Sequence, residues 1–356
     1  MLLTQRVTLK DLARQAGVSH TAVSQALRGR GDLRPELAAR IRQLAEAAHY
    51  APRLAAQHLR AGRTGQVGIV MAMPDARAAF GAPSLSSLLG AVVWECDRAG
   101  RRYVLEFTPR DASAAFVPPS QVTGQTVDGT ILIGDTGDHL RDWLSARRGF
   151  PWISIEEPAP HCVAGRMDAG IEAAVRRLHA GGHRRIAYAG GPQIYLTHRL
   201  GLQGYRRACR RHALRAPAAW QRLFAGNDDA EQVGASHAWA TALLAAASRP
   251  TAFVCHGDVL ARNVILAACE RGLRVPADLS VVSCGPVTIA HHYHPRLATI
   301  ELDYGAMAGQ AMAVWQDLVE ERAVPRACRW VAPRLIEGDT LGHAPRTPKT
   351  RARAAG

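Results

Sequence analysis

Aromatic residues are scarce, 6% of the chain, and no uninterrupted apolar stretch is long enough to span a bilayer. That excludes a helical membrane protein. The opening residues, MLLTQRVTLKD, lack the apolar centre of a secretory leader, so a soluble cytoplasmic protein is expected. Signatures of nucleotide chemistry and nucleophilic catalysis are missing as well. Neither a Gly-x-Gly-x-x-Gly run nor a P-loop occurs, and no nucleophile elbow sets a Ser/His/Asp order, so the reading is not an enzyme and no cofactor is expected. The seven cysteines (Cys96, Cys162, Cys209, Cys255, Cys269, Cys284 and Cys328) include no Cys-x-x-Cys pair and no His-Cys cluster at zinc spacing. They are expected as buried thiols in a reducing compartment.

What the chain has in excess is positive charge, 44 Lys and Arg against 30 acids. The excess is uneven. Residues 1–63 carry eleven basic and four acidic residues, which points to a polyanion partner bound mainly through phosphate contacts; an Arg-rich composition without function is the bland alternative. Within that segment, Thr8 is placed to cap a helix with Leu9, Leu12, Ala13 and Ala16 on one face, and Gly17 stops it. Ser19 is placed to cap a second helix whose Val23, Ala26 and Leu27 face inward while His20, Thr21, Ser24, Gln25 and Arg28 stay polar. Two short helices about a glycine turn make a helix-turn-helix, and the second would enter the major groove.

From Gln66 the pattern becomes strand–helix alternation. QVGIVMAM, RRYVLEF, VDGTILIG and WISIEE read as strands, then RRIAYAGG, TAFVCHGD and LSVVSCG, with helical periods between them. Such alternation argues for parallel, doubly wound sheets.

AGVSHTAVSQAL, followed by a helix ending in HYAP and then RLAAQHLRAGRTGQVGIV, resembles the lactose-repressor (LacI/GalR) family of bacterial transcription regulators. The resemblance covers roughly residues 6–340. It implies a helix-turn-helix head (6–50), a hinge helix and linker (51–64) and a periplasmic-binding-protein-like core of two doubly wound α/β lobes joined by three crossovers (65–340). Composition reads the remainder, with its Pro, Gly and four basic residues and no acids, as a basic disordered tail (341–356). The resemblance also implies a transcriptional repressor that binds pseudo-palindromic operator DNA as a homodimer, or a tetramer, with a small-molecule effector in the inter-lobe cleft. The alternative is a cytosolic small-molecule-binding protein of the same core fold with a degenerate response. A transport binding protein is disfavoured by the head.

Carried over residue by residue, the resemblance assigns base reading to His20, Thr21 and Gln25, the last standing where many relatives have Arg. Ser19 and Arg28 join that surface. Ser24 and Thr8 are phosphate contacts or helix caps. Arg34 replaces the usual Ser N-cap and reads as a phosphate clamp, as does Arg53. Leu59 aligns with the family's minor-groove wedge, or else packs the hinge helix internally.

Ligands in such a core bind beyond the C-terminal ends of strands, which selects Asp75 and Phe80, Glu156 with Glu157, Tyr195 with His198 and Arg199, His256 and Asp258, and Cys284. Several family residues are replaced: Gly201, Gly257 and Gly285 stand for Arg, Asn and Asp, and Arg166-Met167 stands for Asp-Asn. The expectation is an enlarged pocket that disfavours neutral sugars and takes a sugar acid, a sugar phosphate or another anionic or aromatic metabolite, leaning on Phe80, Tyr195 and Arg199. The loop histidines His291, His292 and His294 read as incidental, with no metal site.

Overall fold

A computed structural model describes residues 7–28, 33–48, 50, 63–73, 76–108, 116–224, 230–292 and 294–345. They form two compact units that meet at Gly65 and Gln66. Arg53, Leu59 and Asp75, residues 51–62 of the expected hinge, and residues 346–356 of the expected tail lie outside the described residues.

The first unit is three helices, α1 (Leu9–Ala16), α2 (His20–Arg28) and α3 (Pro35–Ala47). Local chemistry sets their ends. Thr8 and Asp11 form a reciprocal capping box, and Gly17, at φ 68°, closes α1 in the left-handed conformation that glycine adopts without strain. Ser19 Oγ accepts the Ala22 N–H at 3.2 Å to start α2. The helix α3 begins on Pro35 after Arg34, whose side chain makes no cap hydrogen bond, as its replacement of Ser implies. Leu12, Ala13, Ala16, Val23, Ala26, Ile41 and Ala45 pack between the three, and Arg42 Nε donates to the Ala26 carbonyl at 3.2 Å.

The second unit is α/β. Its first half runs β1 (Gln66–Met71), α4 (Ala76–Gly81), α5 (Pro83–Arg98), β2 (Arg102–Phe107), α6 (Ser120–Thr123), β3 (Gly129–Ile133), α7 (Asp138–Ala146), β4 (Trp152–Ile155) and β5 (Cys162–Gly165). The chain then crosses to α8 (Met167–Ala180), β6 (Ile186–Gly190), α9 (Leu196–Arg211), β7 (Gln221–Leu223), α10 (Ala230–Ala245), β8 (Ala252–Cys255), α11 (Asp258–Glu270), β9 (Ser280–Cys284), α12 (Val287–Ala290) and β10 (Ala298–Glu301). It returns through α13 (Tyr304–Val319) to β11 (Cys328–Val331) and finishes on β12 (Arg334–Ile336).

The two six-stranded sheets have the orders β11-β5-β4-β3-β1-β2 and β12-β10-β9-β8-β6-β7. Every pairing is parallel except β10 with β12. Three crossovers join the lobes, after β5, β10 and β11, as the resemblance implied. Interior strands such as β1, β3 and β8 are buried on both faces, which is why they read as unbroken apolar runs.

Two sequence expectations change. Cys162 and Cys328, 166 residues apart, are not thiols but a disulfide, because parallel pairing of β5 with β11 makes them register partners. Spacing along the chain carries no trace of that pairing. Cys269 is exposed, whereas Cys96, Cys209, Cys255 and Cys284 are buried thiols as expected. The expected tail also starts later than residue 341: Gly342 N–H donates to Ser280 Oγ at 3.0 Å and Ala344 N–H to the Gly181 carbonyl at 2.8 Å, tying residues 341–345 to the second lobe.

Candidate functional site

In the head, Thr8 and Ser19 are occupied as caps, and Ser24 is buried, turned toward the core rather than outward. The polar face left on α2 is His20 and Thr21, both exposed, with Gln25 half-buried. Arg34 is exposed at the start of α3. A rigid helix carrying exposed donors and acceptors on its first turn has the form of a groove-reading element.

The core holds a cavity of about 350 Å³ where loops from both lobes converge. Glu156, Tyr195, His256 and Asp258, all selected from the sequence, line it together with Glu157, His198 and Cys284. Two expected residues do not. Phe80 is 60% exposed and outside the lining. Arg199 is outside it too, its Nη1 donating to the Gln193 carbonyl at 3.1 Å and to the Ile194 carbonyl. Backbone oxygens of its own loop capture the guanidinium before a ligand can. Asp135 and Tyr304 line the cavity without having been foreseen. Asp135 lies two residues past the end of β3, so the strand-end rule extended to VDGTILIGD would have found it.

Of the three glycines expected to enlarge the pocket, Gly201 and Gly285 do not leave it empty, whereas nothing lies within 4 Å of a would-be Cβ on Gly257. A Cβ on Gly201 would lie 2.7 Å from His256 Nδ1 and 2.8 Å from the Tyr188 hydroxyl, and one on Gly285 would lie 2.7 Å from Asp258 Oδ2. The missing Arg and Asp side chains are replaced in space by a histidine, a tyrosine and an aspartate. Gly257, at φ 136°, takes a backbone conformation that L side chains rarely adopt. Arg166 is spent on Asp168, with bonds of 2.9 and 3.0 Å, and Arg207 holds the same carboxylate at 2.8 Å. Burial works against the charged form of Asp168, but these two guanidinium bonds win and hold its carboxyl at about 2.

Electrostatically the cavity is acidic. Burial and the neighbouring Glu157 push Glu156 up to about 7, and its backbone sits at φ 73°, rare outside glycine. Burial likewise raises Glu157 to about 7, although it accepts the Leu196 N–H at 3.1 Å. Asp258 accepts the Ser283 hydroxyl, yet burial still raises it. The rings of His198 and His256 stack at 4.1 Å and 9°. Burial lowers His198 to about 4 and holds His256 neutral, with His198 adding repulsion against a second proton. No group of His, Cys, Asp and Glu among the described residues is arranged to hold a metal.

A capped helix-turn-helix followed in the same chain by a two-lobed α/β core with a cleft defines a ligand-responsive DNA-binding regulator. Family models agree: bacterial regulatory proteins of the lacI family match residues 8–53, and the periplasmic binding protein-like domain matches residues 175–341. The head thus matches the lacI family and the second part of the core a periplasmic binding protein-like domain. The HTH-type transcriptional repressor PurR of Proteus mirabilis (strain HI4320) is 26% identical over 346 residues, covering 95% of this chain and 98% of the relative. The repressor of the same name from Escherichia fergusonii is 27% identical over 345 residues, again covering 95% and 98%. The lac repressor dimer bound to operator and the anti-inducer ONPF superposes with a TM-score of 0.79 at 22% identity, over 94% of this chain and 99% of that one. A transcriptional regulator CelR–cellobiose complex gives 0.67 at 22%, over 94% and 100%. The likeness to these two structures is one of fold.

Proposed function

We propose that this chain is a cytoplasmic repressor that binds a two-fold pseudo-palindromic operator as a homodimer through α2, and that occupancy of the core cavity changes operator affinity. The observation that carries the reading is the head: α1 begins on a capping box and ends on a glycine stop, α2 starts on its own Ser19 cap, and α2 presents His20 and Thr21 outward with Gln25 half-buried beside them. Its partner chemistry follows from the eleven basic residues in 1–63. One recognition helix reads few base pairs, so two-fold repetition supplies the specificity. Arg34 and Arg53 are assigned to phosphates, Arg28 to the DNA-facing surface of α2 and Leu59 to the minor-groove wedge, as the family resemblance implies.

Selection from a randomised duplex library, followed by fluorescence anisotropy at physiological salt, tests this. A selected site with two-fold symmetry is expected. Gln25→Arg should move preference toward guanine at one position per half-site, because Arg matches the O6 and N7 acceptors that Gln pairs with poorly. Equal affinity for selected and scrambled duplexes would sink the reading.

A further inference from the structure

The charge balance of the cavity deepens the regulator reading, on which this inference rests, by pointing to a class of effector. Asp135, Glu156, Glu157 and Asp258 line it, and among the described residues no Lys or Arg side chain does. The guanidinium behind them, Arg141, is 17% exposed and is shared between Asp135 at 3.3 Å, Glu157 at 3.8 Å and the exposed Asp138. Arg199 acts on Glu157 only from outside the lining, its own hydrogen bonds going to backbone. Glu156 and Asp258 form no ion pair among the described residues.

The histidines do not make up the deficit. Stacked face to face and buried, they are held in the neutral form. His198 is 6% exposed and lines the cavity, and its Nδ1 has no hydrogen-bond partner among the described residues. A buried ring nitrogen without a partner is costly unless something in the cavity satisfies it. Tyr304 lines the cavity together with Glu156 and Asp258, so the two carboxylates and the tyrosine border a common space.

An anion would add charge to a cavity that already has too much of one sign. A neutral polyol would satisfy the carboxylate acceptors but leave their charge uncompensated, in surroundings where screening by water is weak. We propose that the effector is a small organic cation, an ammonium or guanidinium group on a compact skeleton, with the charge among Glu156, Asp258 and Tyr304 and the skeleton against the His198–His256 stack. The apolar part of the lining, including Met73, Leu85 and Ile300, suits such a skeleton.

The test uses the full chain and ligand sets matched in shape that differ only in charge: benzylamine, benzylguanidine, benzyl alcohol and benzoate, and in parallel butanediamine, butanediol and succinate. Thermal unfolding and titration calorimetry are read for each. Amines and the guanidine are expected to raise the unfolding midpoint and to bind at least about tenfold more tightly than the matched alcohols, with the carboxylates inert. The double substitution Glu156→Gln, Asp258→Asn should remove the response, and Asp317→Asn, on the surface ion pair with Arg322, should leave it intact. If the double variant fails to fold, the single Glu156→Gln variant must still lose at least half of the cation's midpoint shift. Preference for benzoate, succinate or the alcohols would overturn the cationic class while leaving a ligand-responsive cleft in place. Silence from every cation overturns it too. Operator binding, measured separately, decides the regulator reading whichever way these results fall.

Discussion

Glu156 is a residue whose environment opposes its own charge. Because burial lifts its carboxyl from 4.5 to about 7, the folded state holds a proton that the unfolded chain has already lost between those values. Folding stability therefore falls as pH rises through that window and stays lowered above it. Glu156→Gln should raise the thermal midpoint by a few degrees at about pH 8 and change little near pH 4, as differential scanning fluorimetry would show. An equal gain at both ends would mean that packing, not ionisation, sets the effect. Gly201 makes the opposite case, where an absent side chain matters. Gly201→Ala would press a methyl onto His256 and Tyr188, neither of which is at a flexible tip, and should cost about 1–3 kcal/mol in urea unfolding. The helical Gly234, with nothing within 4 Å of its would-be Cβ, should accept Ala neutrally or with a small gain. A penalty of the same size at both sites would refute the steric argument.

At the scale of elements, the three helices of the head differ in how firmly they begin. Thr8 and Ser19 cap α1 and α2, whereas Arg34 leaves the first amides of α3 without a side-chain partner. Arg34→Ser should stabilise the head by about 0.5–1 kcal/mol and, if Arg34 serves as a phosphate clamp, weaken operator binding and flatten its salt dependence. Stability and affinity would then move in opposite directions, an outcome that a purely structural Arg34 cannot produce. Such ends are readable from sequence because capping is local: the partner lies within four residues. The interior strands were readable for a related reason, since burial on both faces leaves an unbroken apolar run. Short elements such as β5, β7 and β11 were not. Three or four residues carry too little periodicity, and their placement depends on which edge of a sheet is vacant.

For the whole molecule, the Cys162–Cys328 bond spans a sequence separation of 166 residues and encloses most of the second lobe, from α8 to β10, leaving β12 outside. Chain entropy favours bonds across long loops, so the double substitution Cys162→Ser, Cys328→Ser, or reduction, should lower stability by about 2–4 kcal/mol. Operator affinity at a temperature well below unfolding should stay unchanged, because β11 keeps its backbone pairing with β5. Unaltered unfolding under reducing conditions would show that the pair contributes nothing beyond that register.

The sequence by itself determined the class of this protein. The helix-turn-helix rests on caps, a glycine stop and a short apolar face, and the doubly wound core rests on alternation, all of them features that act over a few residues, while the division of that core into two lobes was implied by the family resemblance. It also named several cavity residues, Glu156, Tyr195, His256 and Asp258 among them, because strand ends project their loops to one side of a parallel sheet. Only tertiary structure decided the character of that cavity. Whether Gly201 makes room or gives way to His256 depends on a neighbour far away in the chain, and whether Arg199 reaches a ligand or its own loop carbonyls depends on the path that the folded loop takes. The sign of the charge in the cleft is a sum over groups brought together from both lobes, and no local pattern records that sum.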